Sequence, residues 1–312
     1  MEICEHSVQS RSVESVIRLD QLTKTYRHRR GLASLSLDIA RGEVFGYLGP
    51  NGAGKSTTIR MLVDLIRPTS GTVRVLGLDP RSDAVAVQRR IGYLAGDFVV
   101  DTRQTVDDCL TFLANLHGGI SRARITGLAE RLDLDLGARI KALSKGNRQK
   151  VGLVQAFMHQ PELLILDEPT SGLDPLVQQT FLRLVAEAKA AGQTVFMSSH
   201  IMSEVERVAD RVGIIRDGRL VTVDSVAALR HRAVRRVRIT FATPVPTADF
   251  DALPNVTDLT IVDTVLDCRV HGSPDALVKH AARHTIVDLL SEEPDLEELF
   301  LTYYEGHDSV AA

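Results

Sequence analysis

The nine residues Gly49 to Thr57, Gly-Pro-Asn-Gly-Ala-Gly-Lys-Ser-Thr, constrain this chain more than any other stretch. They fit the pattern Gly-x-x-x-x-Gly-Lys-[Ser/Thr] at Gly49, Gly54, Lys55 and Ser56, with Pro50, Asn51, Gly52 and Ala53 between and Thr57 after. Val44–Leu48 before them reads as a short buried strand. Ile59, Leu62, Val63 and Ile66 after them recur at helical spacing. Strand, glycine-rich turn and helix in that order curl the backbone so that its N–H groups converge on a phosphate. In that arrangement Lys55 reaches the β- and γ-phosphates, and the Ser56 hydroxyl ligates Mg²⁺.

The rest of the composition is that of an ordinary globular protein. Of 312 residues, 44% are hydrophobic and 25% charged, enough for one large domain and one small one. The net charge of −3 provides no global field for nucleic acid, and no nucleic-acid partner is expected. Cys4, Cys109 and Cys268 are far apart and lack metal-ligand spacing, so they read as reduced thiols. The start, Met-Glu-Ile-Cys-Glu-His, lacks the basic and apolar regions of a signal peptide. No apolar run approaches the ~20 residues needed to cross a bilayer. Any work at a membrane therefore requires a separate partner that spans it.

Along the chain, residues 1–15 are polar and expected to be flexible. Strands are expected at Val16–Leu22, Leu35–Ile39, Thr72–Leu76 and Ile91–Leu94. Tyr26 lies between the first two. Read alone it is more economically a packing residue, and the alternative is an aromatic platform for an adenine ring. Val106, Leu110, Leu113 and Leu116 predict a helix over Thr105–Leu116, ended by Gly118-Gly119, and a second helix is expected from Ile125 to Leu132. Ser144 is the candidate N-cap of a third, which runs on through Val151 and Val154. Residues 97–160 therefore read as a helical subdomain set into an α/β core.

The second chemical feature is the run Leu163-Leu164-Ile165-Leu166, continuously apolar as a central parallel strand should be, followed by Asp167-Glu168. Ligands of open α/β sheets bind beyond the carboxyl ends of the strands. Two carboxylates there are costly to bury unless they meet a cation. Asp167 is assigned to the Mg²⁺ of a bound nucleotide, and Glu168 to polarising the attacking water. His200 follows a strand at Thr194–Ser198. A lone histidine is usually structural, but one at this edge, beside the other motifs, is placed to donate to a γ-phosphate. Between them, Ser171-Gly172-Leu173-Asp174 forms a turn before a helix expected over Gln178–Ala191. A short helix is expected at Ser203–Ala209, then a hairpin turning at Asp217-Gly218.

Near Ser225 the pattern changes. Residues 225–312 read as a small α+β domain without a catalytic constellation, ending in a helix from Asp295 to Tyr304. Its basic run, Arg230 to Arg238, reads as a solvated face.

Taken together these residues resemble the nucleotide-binding subunit of an ATP-binding cassette (ABC) transporter over about residues 16–224. Tyr26 matches the aromatic loop, Gly49–Thr57 the Walker A motif, Leu143–Gln149 the signature and Leu163–Glu168 Walker B. Ser171–Asp174 matches the D-loop and His200 the switch histidine. The resemblance implies a P-loop NTPase fold and an ATP hydrolase. It implies a head-to-tail dimer of two copies, each ATP held between Walker A of one and the signature residues Ser144 and Gly146 of the other, with the D-loop Asp174 among the nucleotide-binding residues. The variant signature Leu-Ser-Lys-Gly-x-x-Gln, ending at Gln149, and the ending Leu-Glu-Glu-Leu-Phe-Leu-Thr-Tyr-Tyr are similar to bacterial exporters of the ABC-2 class. Those subunits sit on the cytoplasmic face of the membrane with a separately encoded permease. The implied cargo is a drug-like, antibiotic or lipid-like compound. Two departures stand out. Lys145 and Asn147 replace the family's glycine and glutamine in the signature, and Gly96-Asp97 stands where the family carries a glutamine, with Asp97 as the candidate substitute.

The rival reading is an ABC ATPase acting on nucleic acid or the ribosome. The Walker motifs are too close together to enclose a long coiled coil, there is one phosphate loop rather than two, and no cysteine clusters occur. A scaffold that binds ATP without hydrolysis is opposed by Glu168.

Overall fold

The computed structural model describes residues 14–26, 29–96, 98, 103–232, 234–250 and 253–292, the side chains of 29, 30, 231 and 232 excepted. Asp97 and the helix expected from Asp295 lie outside the described residues. Contacts divide the chain into two compact units, Met1–Val223 and Asp224–Ala312.

The first unit opens with β1 (Ser15–Tyr26) and β2 (Arg29–Ala40), antiparallel neighbours. The pattern suggested an end for β1 at Leu22, but the strand continues. Gln21 has φ 46° and the register slips between Leu19 and Leu22. A bulge of this kind adds an unpaired residue and breaks the period-two signal that sequence reading depends on. After β3 (Val44–Leu48) and α1 (Lys55–Leu62), β4 (Ser70–Val75) returns to the far side of β1. A short α2 (Ala84–Gln88), which no periodicity announced, leads into β5 (Ile91–Leu94).

Three helices follow: α3 (Val106–Leu116), α4 (Arg122–Arg131) and α5 (Lys145–Phe157). The start of α3 is set by a capping box. Thr105 accepts from the Asp108 N–H, and the Asp108 carboxylate accepts from the Thr105 N–H. The chain then alternates: β6 (Leu163–Asp167), α6 (Pro175–Ala190), β7 (Thr194–Ser199), α7 (Met202–Glu206), β8 (Arg211–Arg216) and β9 (Arg219–Ser225). α6 begins three residues earlier than expected because Asp174 caps it and Pro175 occupies its first turn, where the missing N–H costs nothing.

A six-stranded sheet in the order β5-β6-β7-β3-β8-β9 carries the site, with β5, β6, β7, β3 and β8 mutually parallel. Every residue of β3, β6 and β7 is buried, which is why those runs lack alternation. Phe45 stacks on Phe196 with ring centroids 5.9 Å apart, locking the central pair of strands together. Burying a side chain of that size contributes about 1.5–3 kcal/mol. Since β3, β6 and β7 run parallel, their carboxyl ends, Leu48, Asp167 and Ser199, reach the same edge.

The second unit holds α8 (Val226–Arg232) and a four-stranded antiparallel sheet in the order β11-β12-β10-β13: β10 is Val234–Phe241, β11 Val256–Val262, β12 Val265–His271 and β13 Ile286–Ser291. Its core joins Val237, Ile239 and Phe241 to Leu266, Cys268 and Leu277, the last from α9 (Asp275–Ala281). From the basic run, Arg236 and Arg238 face outward and pair with Asp267 at 3.2 and 2.7 Å. No helix among the described residues is long and apolar enough to cross a membrane.

Candidate active site

The turn after β3 is shaped by backbone conformation. Gly52 and Gly54 adopt φ 83° and 114°, values that residues with a Cβ avoid. Ala53 is buried, and its carbonyl accepts from the Gly218 N–H at 2.9 Å, so the β8–β9 hairpin turn braces the loop from behind. Gly49 is buried beneath, while Pro50, Asn51 and Gly52 face solvent. No side chain caps the start of α1, so its first-turn N–H donors are free to meet an anion. Ser56 and Thr57 sit half-buried on that turn. Lys55, 5% exposed, folds back over the loop and donates to the carbonyls of Gly49 and Pro50, the latter at 3.3 Å. A buried ammonium above a ring of inward N–H groups is a cradle for phosphate.

Asp167 and Glu168 enter from the end of β6. The Asp167 carboxylate is 4% exposed and accepts a 2.6 Å hydrogen bond from Ser198 of β7. Glu168 lies in the left-handed region at φ 47°, which costs a non-glycine residue about 1–2 kcal/mol. Its N–H donates to the Ser198 hydroxyl at 3.1 Å and to the Ser198 carbonyl at 3.2 Å. The strained turn aims its carboxylate between Lys55 Nζ, at 3.1 Å, and His200 Nδ1, at 2.7 Å. The oxygen facing Lys55 is buried and accepts no hydrogen bond, so that contact is purely ionic. His200 is half exposed, with its imidazole open to a ligand. Behind it, Thr170 donates to Glu204 of α7 at 2.6 Å, and burial pushes the Glu204 carboxyl above its ordinary range.

Ser144 and Gly146 lie instead at the start of α5, where Gly146 packs on the turn that runs from Glu168 to Asp174. Ser144 caps α5, accepting from the Asn147 N–H at 3.2 Å. A Cβ on Gly146 would collide with the Gly172 carbonyl oxygen, so only glycine allows α5 to approach this turn. Lys145, the departure from the family signature, donates to Ser171 at 3.3 Å. The Asp174 carboxylate caps α6 through the N–H groups of Leu176 and Val177, the Val177 bond doing most to lower its pKa. The Tyr26 ring, 42% exposed, packs on Gly31, whose carbonyl borders Gly54, and Lys24 Nζ lies 5.4 Å from the ring centroid. Tyr26 therefore flanks the phosphate loop while keeping an exposed surface.

The site residues suit the nucleotide and metal that the fold implies. Among the described residues no group of three or more His, Cys, Asp and Glu side chains is placed to hold a metal by itself. The hard oxygens of Ser56 and Asp167 suit Mg²⁺ as partial ligands, the remainder coming from phosphate and water.

The profile of the family described as "ABC transporter" matches residues 32–171. The chain is 37% identical over 212 residues to the bacitracin transport ATP-binding protein BcrA of Bacillus licheniformis, covering 67% of this chain and 69% of that protein. It is 33% identical over 296 residues to the Nod factor export ATP-binding protein I of Paraburkholderia xenovorans (strain LB400), covering 92% of this chain and 96% of the relative. The chain belongs to the ABC transporter family. It is the ATP-binding, ATP-hydrolysing subunit of such a transporter. A solved structure described as the ATP binding subunit of an ABC transporter superposes with a TM-score of 0.64 at 30% identity, over 69% of this chain and 92% of that one.

In this ABC subunit Ser198 carried no signal in the motifs, and Gln149 closes the signature stretch Leu143–Gln149 without a role assigned to it there. Ser198, whose single hydroxyl contacts both Asp167 and Glu168, lies one residue before the end of β7, and its place at the ligand edge was the only clue. Gln149 is buried on the apolar face of α5. A polar residue on the face shared by Gly152 and Leu153 is the signal that could have singled it out.

Proposed function

We propose that two copies of this ABC subunit close head to tail around two ATP molecules and drive a separate membrane permease of the ABC-2 type. The subunit then works from the cytoplasmic face of the membrane, exporting a drug-like, antibiotic or lipid-like compound. The observation that carries this reading is the meeting of Lys55, Asp167, Glu168 and His200 at one sheet edge, beside a turn that α5 grips through Gly146. The names of the relatives, one for bacitracin transport and one for Nod factor export, support a role in export.

In this reading Lys55 and the N–H groups of the loop bind the β- and γ-phosphates. Tyr26 stacks on the adenine. Ser56 and Asp167 hold Mg²⁺, which when bound neutralises charge between the phosphates. Glu168 accepts a hydrogen bond from the attacking water and polarises it toward the γ-phosphorus. His200, oriented by its contact with Glu168, donates to a γ-phosphate oxygen. Ser144 and Gly146 of the second copy contact the same phosphate from the opposite side, with Asp174 completing that wall. Closure therefore depends on the γ-phosphate and is lost after its release.

The test is ATP-dependent dimerisation of the Glu168→Gln chain, followed by co-purification and ATPase stimulation with a candidate ABC-2 type membrane protein. A monomeric E168Q chain in saturating ATP rejects the dimer. Hydrolysis indifferent to that membrane protein rejects it as the partner.

A further inference from the structure

Gln149 is 2% exposed, in the second turn of α5. Its side-chain nitrogen donates to the Glu168 carbonyl at 3.1 Å and to the Pro169 carbonyl at 3.2 Å. Two amide protons meet two acceptors, which fixes the orientation of the amide. Glu168 is thus held from both sides. Ser198 takes its N–H, Gln149 takes its C=O, and between them the residue stays at φ 47° with its carboxylate aimed at Lys55 and His200. A strained conformation of this kind persists only where its surroundings over-determine it.

The same helix begins with Ser144 as its cap and Gly146 in its first turn. Gly146 packs so closely on Gly172 that α5 and the Glu168–Asp174 turn have no slack between them. A displacement at the N-terminus of α5 therefore reaches the backbone of Glu168 through one side chain, about one helical turn away. Resting on the head-to-tail reading above, we propose that Gln149 is a positioning residue that couples the two nucleotide sites. Docking of Ser144 and Gly146 on the second copy's ATP is transmitted by the Gln149 amide to the carboxylate that acts on this chain's own ATP. Hydrolysis at one site then depends on occupation of the other.

The experiment compares the 312-residue chain with Gln149→Met, which keeps the length and removes both donors, and Gln149→Asn, which keeps the donors but is one methylene too short. ATP titrations of hydrolysis give kcat, the half-saturating concentration and the Hill coefficient. Each variant is also combined with E168Q for ATP-dependent dimerisation by size-exclusion chromatography. We expect kcat to fall by about ten- to a hundredfold, the half-saturating ATP concentration to hold, and the Hill coefficient to drop toward one. The Q149M/E168Q chain should still dimerise. Unchanged kcat and Hill coefficient, while E168Q dimerises, overturn the coupling role alone. Dimerisation lost in parallel with kcat overturns it too, because Gln149 then merely holds α5 in place. An E168Q chain that stays monomeric overturns the head-to-tail reading itself. If Q149M fails to bind ATP, the same readouts on Q149N decide.

Discussion

Lys55 Nζ lies 3.1 Å from a carboxylate oxygen of Glu168, joining the first residue of α1 to the residue that follows β6. The pair is largely withdrawn from water, with side-chain exposures of 6% and 19%, so each charge leans on the other. A triphosphate carries more negative charge than one carboxylate and competes for the same ammonium. In the proposed cycle, nucleotide binding takes Lys55 and leaves Glu168 facing His200 and the water it polarises.

Lys55→Ala should lower ATP affinity by about a hundredfold, the contribution of one or two charge-assisted hydrogen bonds. Isothermal titration with ATP and Mg²⁺ measures it. Wild-type affinity in the variant would mean that the loop does not hold the phosphates through this residue.

Glu168→Gln keeps the shape of the side chain and removes its basicity. ATP binding should persist while kcat falls by about 10²–10⁴. Phosphate release under saturating ATP is the readout, and undiminished turnover would remove Glu168 from the chemistry.

Ser198→Ala deletes the hydroxyl that donates to Asp167 at 2.6 Å and accepts from the Glu168 N–H at 3.1 Å. Loss of this buried pair of contacts should cost about 1–3 kcal/mol in stability. The half-saturating Mg²⁺ concentration should rise with it. A stable variant with unaltered Mg²⁺ dependence would show that the clamp does not position the carboxylates.

Gly96 sits against Asp167, where a Cβ would lie 3.3 Å from a carboxylate oxygen. Gly96→Gln restores the family's amide at a position with little room, so Asp167 must yield by a few tenths of an ångström. Basal hydrolysis and its stimulation by the permease should both change, with Gly96→Ala as the control for crowding. Equal stimulation in wild type and G96Q would reject a coupling role for this loop.

Glu162 takes two hydrogen bonds from Arg90, at 2.6 and 2.9 Å, and one from Arg41 at 3.1 Å. The Arg90 bonds lead in pulling its carboxyl from 4.5 down to about 2, against a smaller opposing effect of burial. With the folded value below the unfolded one, the unfolded chain binds more protons in between. The contribution is complete above about pH 4.5 and is lost as pH falls toward about 2. Solvent screening keeps it to about 1 kcal/mol or less. Urea midpoints of wild type and Glu162→Gln should converge across that window. Parallel curves would show that the pair adds nothing.

Much of the fold was legible because its strongest signals are local. The runs Val44–Leu48 and Leu163–Leu166 are buried strands as read, and Thr105 and Ser144 cap the helices they were expected to start. The end of β1 was not legible, since the bulge near Gln21 erased the alternation. Nor was α2, too short for a helical stripe to build up. Of the site, Lys55, Asp167, Glu168 and His200 were named by motif and converge, whereas Ser198 and Glu204 appear only once the strands are laid side by side, and Gln149, the end of the signature stretch, acquires its contact with Glu168 there.

The order of residues along the chain is enough to show that a phosphate loop joins a strand to a helix and that an acidic pair ends a central strand. Both follow from residue type and near-neighbour spacing, which the backbone cannot evade. Which groups meet depends on how the strands are laid side by side. The parallel order β6-β7-β3 brings Asp167, Ser198 and the loop after Leu48 to one edge, although about 150 residues separate the last two. Tertiary packing also sets Glu168 at φ 47°, gripped by Ser198 on one side and Gln149 on the other. Such a conformation is unfavourable for the residue alone, so no local preference could have announced it. It exists because two distant side chains supply the hydrogen bonds that hold it.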